Sequence, residues 1–188
     1  MKVKEVGIPG LMQVEPVVFE DERGYFFESY NEERFAQHGI GCRFVQDNQS
    51  RSVKGVVRGL HYQIEPHAQT KLLRVIEGKV LDVAVDLRAN SPAYGKWYAI
   101  EISAENRRQL LVPKGFAHGF TVLSDYATVF YKCDSFYNPG SERGIRFNDE
   151  FLGIDWKVPS GEAVISEKDS RLPSFHEAEK NFVFASGG

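Results

Sequence analysis

Hydrophobic and polar residues alternate with a period of two along most of this chain, and only one stretch follows the 3.6-residue period of a helix. That stretch is "NEERFAQHGI", residues 31–40, where Asn31 is a natural N-cap and Gly39 a natural stop. In "TKLLRVIEGKVLDVAVDL", residues 70–87, two β-rich runs flank Glu77-Gly78, a short turn of the kind that joins antiparallel neighbours. "GKWYAIEIS", "RRQLLVP", "GFAHGFTVLS" and "YATVFYKCDSFY" continue the pattern, with Gly, Pro or Ser-Asp between them. Many short strands at this spacing predict a sandwich, jelly roll or barrel. From about Asn138 onward Pro, Gly and charge increase, which predicts a mainly irregular C-terminal extension with one short helix. Internal repeats and linkers are absent, so one domain over 1–188 is expected.

Several polar residues interrupt the apolar alternation: Asp82 and Asp86 in "VLDVAVDL", His61 in "GLHYQ", His118 in "GFAHGF" and Lys132 in "VFYKC". In a closed or folded-over sheet half of the strand positions face inward, and an interior with His, Asp, Lys and Tyr is a pocket rather than a packed core. Strict alternation sends Arg58 and His61 to opposite faces. They share a cavity only if the strand is distorted between them, and Gly59 suits a bulge.

Composition narrows the partners. The 188 residues are 42% hydrophobic and 26% charged with a formal net charge of -3, which argues against general nucleic-acid or membrane binding. An anionic ligand therefore needs a local cluster of Arg and Lys. Cys42 and Cys133 lie far apart without metal-ligand spacing and are expected as free thiols. No signal peptide or 18-residue apolar window is present, so a cytoplasmic setting is expected.

"PKGFAHGF" has the P-x-G-x-x-H spacing (Pro113, Gly115, His118) with which a tight turn delivers a His into the mouth of a jelly roll. By itself it reads equally well as a turn before a strand-end His. The companion H-x-H metal motif is incomplete, because "LHYQ" has Gln63 where the second His is needed, and His67 stands beside Pro66 on an expected loop. No metal is therefore expected. His, Lys and Tyr in such a cavity suit proton removal next to a carbonyl, which needs a near-neutral base, a cation facing the enolate oxygen and an acid. His61 fits the base, Lys71 or Arg58 the cation, and Tyr131 the acid. Each residue taken alone is more often a packing residue, and only their grouping favours chemistry. In "DERGYFFESYN" and "FVQDNQS", Arg23 suits a phosphate and the aromatics a nucleobase, although the first segment alone reads as an edge strand with a buried aromatic row.

Together, "DERGYFFES", "FVQDNQS", "GVVRGLHYQ", "QTKLLRV", "VLDVAVDLR", "SPAYGKWY", "PKGFAHGF", "YKCDSFYNP" and "SEKD", in that order, closely resemble the dTDP-4-dehydrorhamnose 3,5-epimerase family. The resemblance implies a mainly β, double-stranded β-helix (cupin, jelly-roll) fold with few short helices, a homodimer, a dTDP-sugar substrate and no cofactor. It makes His61 the base and Tyr131 the acid, with Asp169 orienting His61, Lys71 near the C4 oxygen and Asp82 in support. It assigns substrate binding to Arg23, Glu28, Gln46, Asn48, Arg58, Lys71, His118, Tyr137, Glu142 and Lys168, with Tyr137 stacked on thymine. Part of the "DERGYFFE" contribution is expected from the second subunit. Thr70 stands where the family has Gly, which leaves Lys71 in place. Three alternatives remain: an epimerase acting at C3 only or on another dTDP-keto-sugar, a metal-dependent cupin, and a nucleotide-sugar-binding cupin without catalysis.

Overall fold

The computed structural model describes residues 1–159 and 161–185. In chain order the elements are β1 (Lys2–Glu5), β2 (Met12–Glu15), β3 (Phe19–Asp21), β4 (Gly24–Phe26), α1 (Glu32–Gln37), β5 (Gln46–Val53), β6 (Val57–Gln63) and β7 (Lys71–Glu77). They continue with β8 (Lys79–Asp86), β9 (Trp97–Ser103), β10 (Gln109–Val112), β11 (Phe116–Val122), β12 (Tyr126–Cys133), β13 (Glu142–Gly144) and α2 (Glu167–Ser170). Helix α1 starts as predicted, with the Asn31 side chain accepting from the Arg34 N–H. No helix among the described residues is long and apolar enough to cross a membrane.

Two antiparallel sheets face each other as a jelly roll, in the strand orders β1-β2-β10-β7-β12-β5 and β13-β6-β11-β8-β9. The hairpin expected at Glu77-Gly78 does not form. β7 pairs with β10 and β12, while β8 pairs with β11 and β9 in the other sheet. One residue between strands is too short for a hairpin loop, and Gly78 instead turns the chain across the corner between sheets. Its φ is +75°, and a Cβ there would stand 2.1 Å from the Tyr126 carbonyl oxygen, so only glycine fits.

The core between the sheets takes Leu73, Val75 and Val129 from the six-stranded sheet and Val80, Ala84 and Phe120 from the five-stranded one. The outer face of the five-stranded sheet is buried as well, because Ile145, Leu152, Trp156, Phe175 and Phe182 of the C-terminal extension pack on Leu60, Val83 and Val85. This explains why β8 and β11 are almost wholly buried, where alternation alone predicts one solvated face. α1 covers the outer face of the other sheet through Phe35, beside Leu72 and Leu111. β3 and β4 pair only with each other, and Phe19, Tyr25 and Phe26 are exposed rather than forming a buried aromatic row.

Candidate functional site

The cluster grows from a slip in β6. His118 lies opposite His61 and Phe120 opposite Arg58, so two residues of β6, Gly59 and Leu60, stand against the single Gly119 of β11. This is the bulge for which the sequence marked Gly59. That residue has a φ of +121° and sits so close to β11 that a Cβ would lie 2.6 Å from the Gly119 Cα. With the extra residue absorbed, Arg58 and His61 line one cleft of about 400 Å³ together with Lys168 and Asp169.

His61 is held by Asp169, Nε2 to Oδ1 at 2.7 Å, and the other carboxylate oxygen accepts the Gly59 backbone N–H at 3.3 Å. Asp169 sits on the single turn of α2, whose N-cap Ser166 accepts the Asp169 N–H. Burial raises the pKa of the Asp169 carboxyl, but His61 together with the Gly59 and Ser166 hydrogen bonds outweighs it and holds the group below the ordinary carboxylate value. A carboxylate bonded to one ring nitrogen fixes the imidazole's orientation and leaves the other nitrogen for work.

The facing wall comes from the six-stranded sheet. Lys71 and Cys133 are cross-strand partners, and Tyr131 pairs with Leu73, so Lys71, Tyr131 and Cys133 share the inner face with the core residues Leu73 and Val129. The Lys71 ammonium lies 6.0 Å from the centre of the Tyr131 ring and makes no hydrogen bond or ion pair with a described residue. Burial pushes the Lys71 pKa down, against the charges of Cys133, Asp82 and Glu142. Burial pushes the Tyr131 phenol up, aided by Cys133 and opposed by Arg58, which favours the protonated phenol. His118 and Asp82 form a second pair on the opposite wall, Nε2 lying 3.0 Å and 2.9 Å from the two carboxylate oxygens, and both residues are buried.

A polar rim surrounds this centre. Glu142 Oε2 accepts from both Lys168 Nζ and the Tyr137 hydroxyl at 2.6 Å, and Tyr137 N–H donates to Gln46. Burial would raise the Glu142 carboxyl, yet these two donors and the His61 charge bring it below its usual value. The hydrogen bond to Glu142 raises both the Tyr137 phenol and the Lys168 ammonium. Gln46 Nε2 reaches Asn48 Oδ1, and Arg58 Nε donates to Ser52 Oγ at 2.9 Å. Thr70 is buried with its N–H on Asp134, so the residue that departs from the family pattern anchors the start of β7.

Of the predicted residues, His61, Asp169, Lys71, Tyr131, Asp82, His118, Gln46, Asn48, Arg58, Tyr137, Glu142 and Lys168 converge on this end of the jelly roll. Arg23 and Glu28 do not join them within the chain: Arg23 pairs with Asp21 on the exposed β3–β4 hairpin, and Glu28 with Arg34. Lys132 faces outward toward Asp47, and Asp86 is tied to Arg88 and Ser91 as a buried structural knot. Gln63 is fully engaged, donating to the carbonyls of His67 and Phe136 and accepting the Asn138 N–H. His67 bonds Ser141 and Asn138 on the same loops. Among the described residues no three His, Cys, Asp or Glu side chains are grouped to hold a metal. Ser166 and Ser52 were missed from the sequence. "SEKD" carried a legible signal for the first, the S-x-x-D spacing of an N-cap, whereas nothing marked Ser52.

A sequence model described as dTDP-4-dehydrorhamnose 3,5-epimerase matches residues 5–177. The dTDP-4-dehydrorhamnose 3,5-epimerase of Shigella flexneri is 50% identical over 180 residues, covering 95% of this chain and 98% of that protein. The crystal structure of the enzyme of that name from Elizabethkingia anophelis superposes with a TM-score of 0.89 at 53% identity, covering 94% of this chain and 97% of that one. An epimerase from Legionella pneumophila, solved in complex with dTDP-4-keto-L-rhamnose, also gives a TM-score of 0.89, at 46% identity over 94% of this chain and 93% of its own.

Proposed function

This chain belongs to the dTDP-4-dehydrorhamnose 3,5-epimerase family, and on that premise we propose how its residues invert two centres of one sugar. It is an isomerase of dTDP-L-rhamnose biosynthesis, converting dTDP-4-dehydro-6-deoxy-D-glucose to dTDP-4-dehydro-L-rhamnose by epimerisation at C3 and C5. The C4 ketone acidifies the hydrogens on both flanking carbons, so one base and one acid serve both positions in turn. His61 removes the proton, its imidazole oriented by Asp169 at 2.7 Å. Charge moves onto the C4 oxygen, where Lys71 meets it. Tyr131, whose phenol burial keeps protonated, returns a proton from the other wall. Each inversion begins and ends with a neutral ketone and leaves His61 protonated and Tyr131 as the phenolate, so His61 gives one proton to solvent and Tyr131 takes one back before the second inversion.

Arg58 and Lys168 supply the cations for the diphosphate, and Tyr137, half exposed at the rim, supplies the aromatic face for thymine. His118, Gln46, Asn48 and Glu142 complete the contacts. Arg23 and Glu28 reach the ligand from a second copy of the chain, a reading supported by their pairing with Asp21 and Arg34 instead of with residues lining the cleft, and by the exposed hairpin that carries Arg23.

The observation that carries this reading is the carboxylate-held His61 on one sheet facing Lys71 and Tyr131 on the other. Incubation with dTDP-4-keto-6-deoxyglucose in deuterated water, followed by proton NMR and a reductase that accepts only the doubly inverted ketone, tests it. Deuterium at both C3 and C5 with reductase turnover is expected. Label at C3 alone would assign the chain to the C3-only reading, and no exchange at either carbon would overturn the mechanism.

A further inference from the structure

A single line of hydrogen bonds runs along the inner face of β5, from the rim of the cleft to its floor. The Tyr137 backbone N–H donates to Gln46 Oε1 at 2.9 Å, Gln46 Nε2 donates to Asn48 Oδ1 at 3.1 Å, and Asn48 Nδ2 donates to Cys133 Sγ at 3.6 Å. The last contact is the longest because sulfur is the largest acceptor. The two ends of the line agree on its direction. A backbone N–H can only donate, so Gln46 turns its oxygen toward Tyr137 and its NH2 toward Asn48, and Asn48 in turn points its NH2 at the sulfur.

Cys133 is 1% exposed, is the cross-strand partner of both Gln46 and Lys71, and lies two residues from Tyr131 on the same face of β12. One end of the line therefore stands beside the groups assigned to the sugar ring and the other carries the aromatic assigned to the base. We propose that Cys133 is a positioning residue whose sulfur, as terminal acceptor, fixes which way the Asn48 and Gln46 amides face and so where Tyr137 stands over the nucleotide. The proposal rests on the reading of Gln46, Asn48 and Tyr137 as nucleotide contacts.

A thiol suits this place because it accepts a hydrogen bond without bringing a charge. Burial, opposed by the Lys71 ammonium, pushes its pKa up to about 11, so no thiolate forms beside Lys71 at neutral pH. A side chain that cannot accept leaves the Asn48 amide NH2 unpaired and free to turn over, which breaks the line at its last link.

The test titrates dTDP calorimetrically into wild type, Cys133→Ala and Cys133→Ser, each checked by thermal melting, with kcat and KM for the keto-sugar. Cys133→Ala should bind dTDP about fivefold more weakly and raise KM by the same factor with kcat within about twofold, whereas Cys133→Ser, which accepts through oxygen, should recover to within about twofold of wild type. Cys133→Val replaces Cys133→Ala if the latter does not hold its fold. Unchanged dTDP affinity in the non-accepting variant, a serine variant as weak as alanine, or a fall in kcat at constant KM would each overturn the assignment. A wild type that fails to bind dTDP would overturn the nucleotide reading and this inference with it, while a binding wild type with an indifferent alanine variant overturns this inference alone.

Discussion

His61 and Tyr131 divide the proposed chemistry between removing a proton and returning one, and their loss leaves different signatures. His61→Asn should lower kcat by about 10²–10⁴-fold, the usual contribution of a general base, while dTDP affinity stays within a few-fold of wild type. Equal loss of binding and turnover would make His61 a structural residue. Tyr131→Phe should keep part of the solvent deuterium exchange while net inversion collapses, since deprotonation does not need the acid. Asp169 supplies a pH test. Its carboxyl is held below the ordinary value in the folded protein, so its contribution to stability is complete above the unfolded pKa and disappears as pH falls through the folded one. Urea midpoints measured from roughly pH 5 down to pH 3 should therefore fall more steeply for wild type than for Asp169→Asn.

At the scale of the element, β6 does the positioning. Its bulge turns Arg58 and His61 into one cleft, and the turn depends on Gly59, where φ is +121° and an added Cβ would lie 2.6 Å from the Gly119 Cα of β11. Gly59→Ala should cost about 1–3 kcal/mol from backbone strain alone and reduce kcat by displacing His61. Chemical denaturation paired with steady-state kinetics reads both, and an alanine variant of wild-type stability would mean that β6 and β11 separate easily. α2 shows how little helix a site needs. One turn capped by Ser166 carries Asp169 to His61 and Lys168 to Glu142, so His61 and the rim are held by adjacent residues.

The whole molecule adds what no strand supplies. The C-terminal extension, short of regular structure, covers the outer face of the five-stranded sheet, so the wall behind His61 and His118 is packed on both sides. Phe175, 1% exposed among Tyr94 and Phe151, is a keystone of that cover, and Phe175→Ala should cost about 3–5 kcal/mol in denaturant unfolding. The proposed second copy is tested by complementation. Arg23→Ala and His61→Asn subunits, each nearly inactive alone, should regain about a quarter of wild-type activity when unfolded and reassembled together, because half the dimers are mixed and each has one intact site. No recovery would place Arg23 and His61 in the same chain's site or Arg23 outside it.

Period-two alternation with punctuating Gly and Pro determined the strands, because the pleat alone dictates which faces must be apolar, and Asn31 and Gly39 determined α1 through local capping chemistry. The same logic exposed His61, Asp82 and His118 as candidate inward polar residues and marked Gly59 as the place suited to a bulge if Arg58 and His61 share one cavity. Local pattern did not decide the partners of β7 and β8, since a glycine corner and a hairpin turn look alike until the pairing across the sheets is known. Nor did it decide that Lys132 faces outward while Lys71 faces in, that Asp86 is spent on Arg88, that the sequence-distant Asp169 meets His61, or that Ser52 meets Arg58. The His61–Asp169 contact joins residues 108 positions apart, and even the short-range pairs depend on which face each strand buries, so burial of the two sheets against each other and against the C-terminal cover is what decides them.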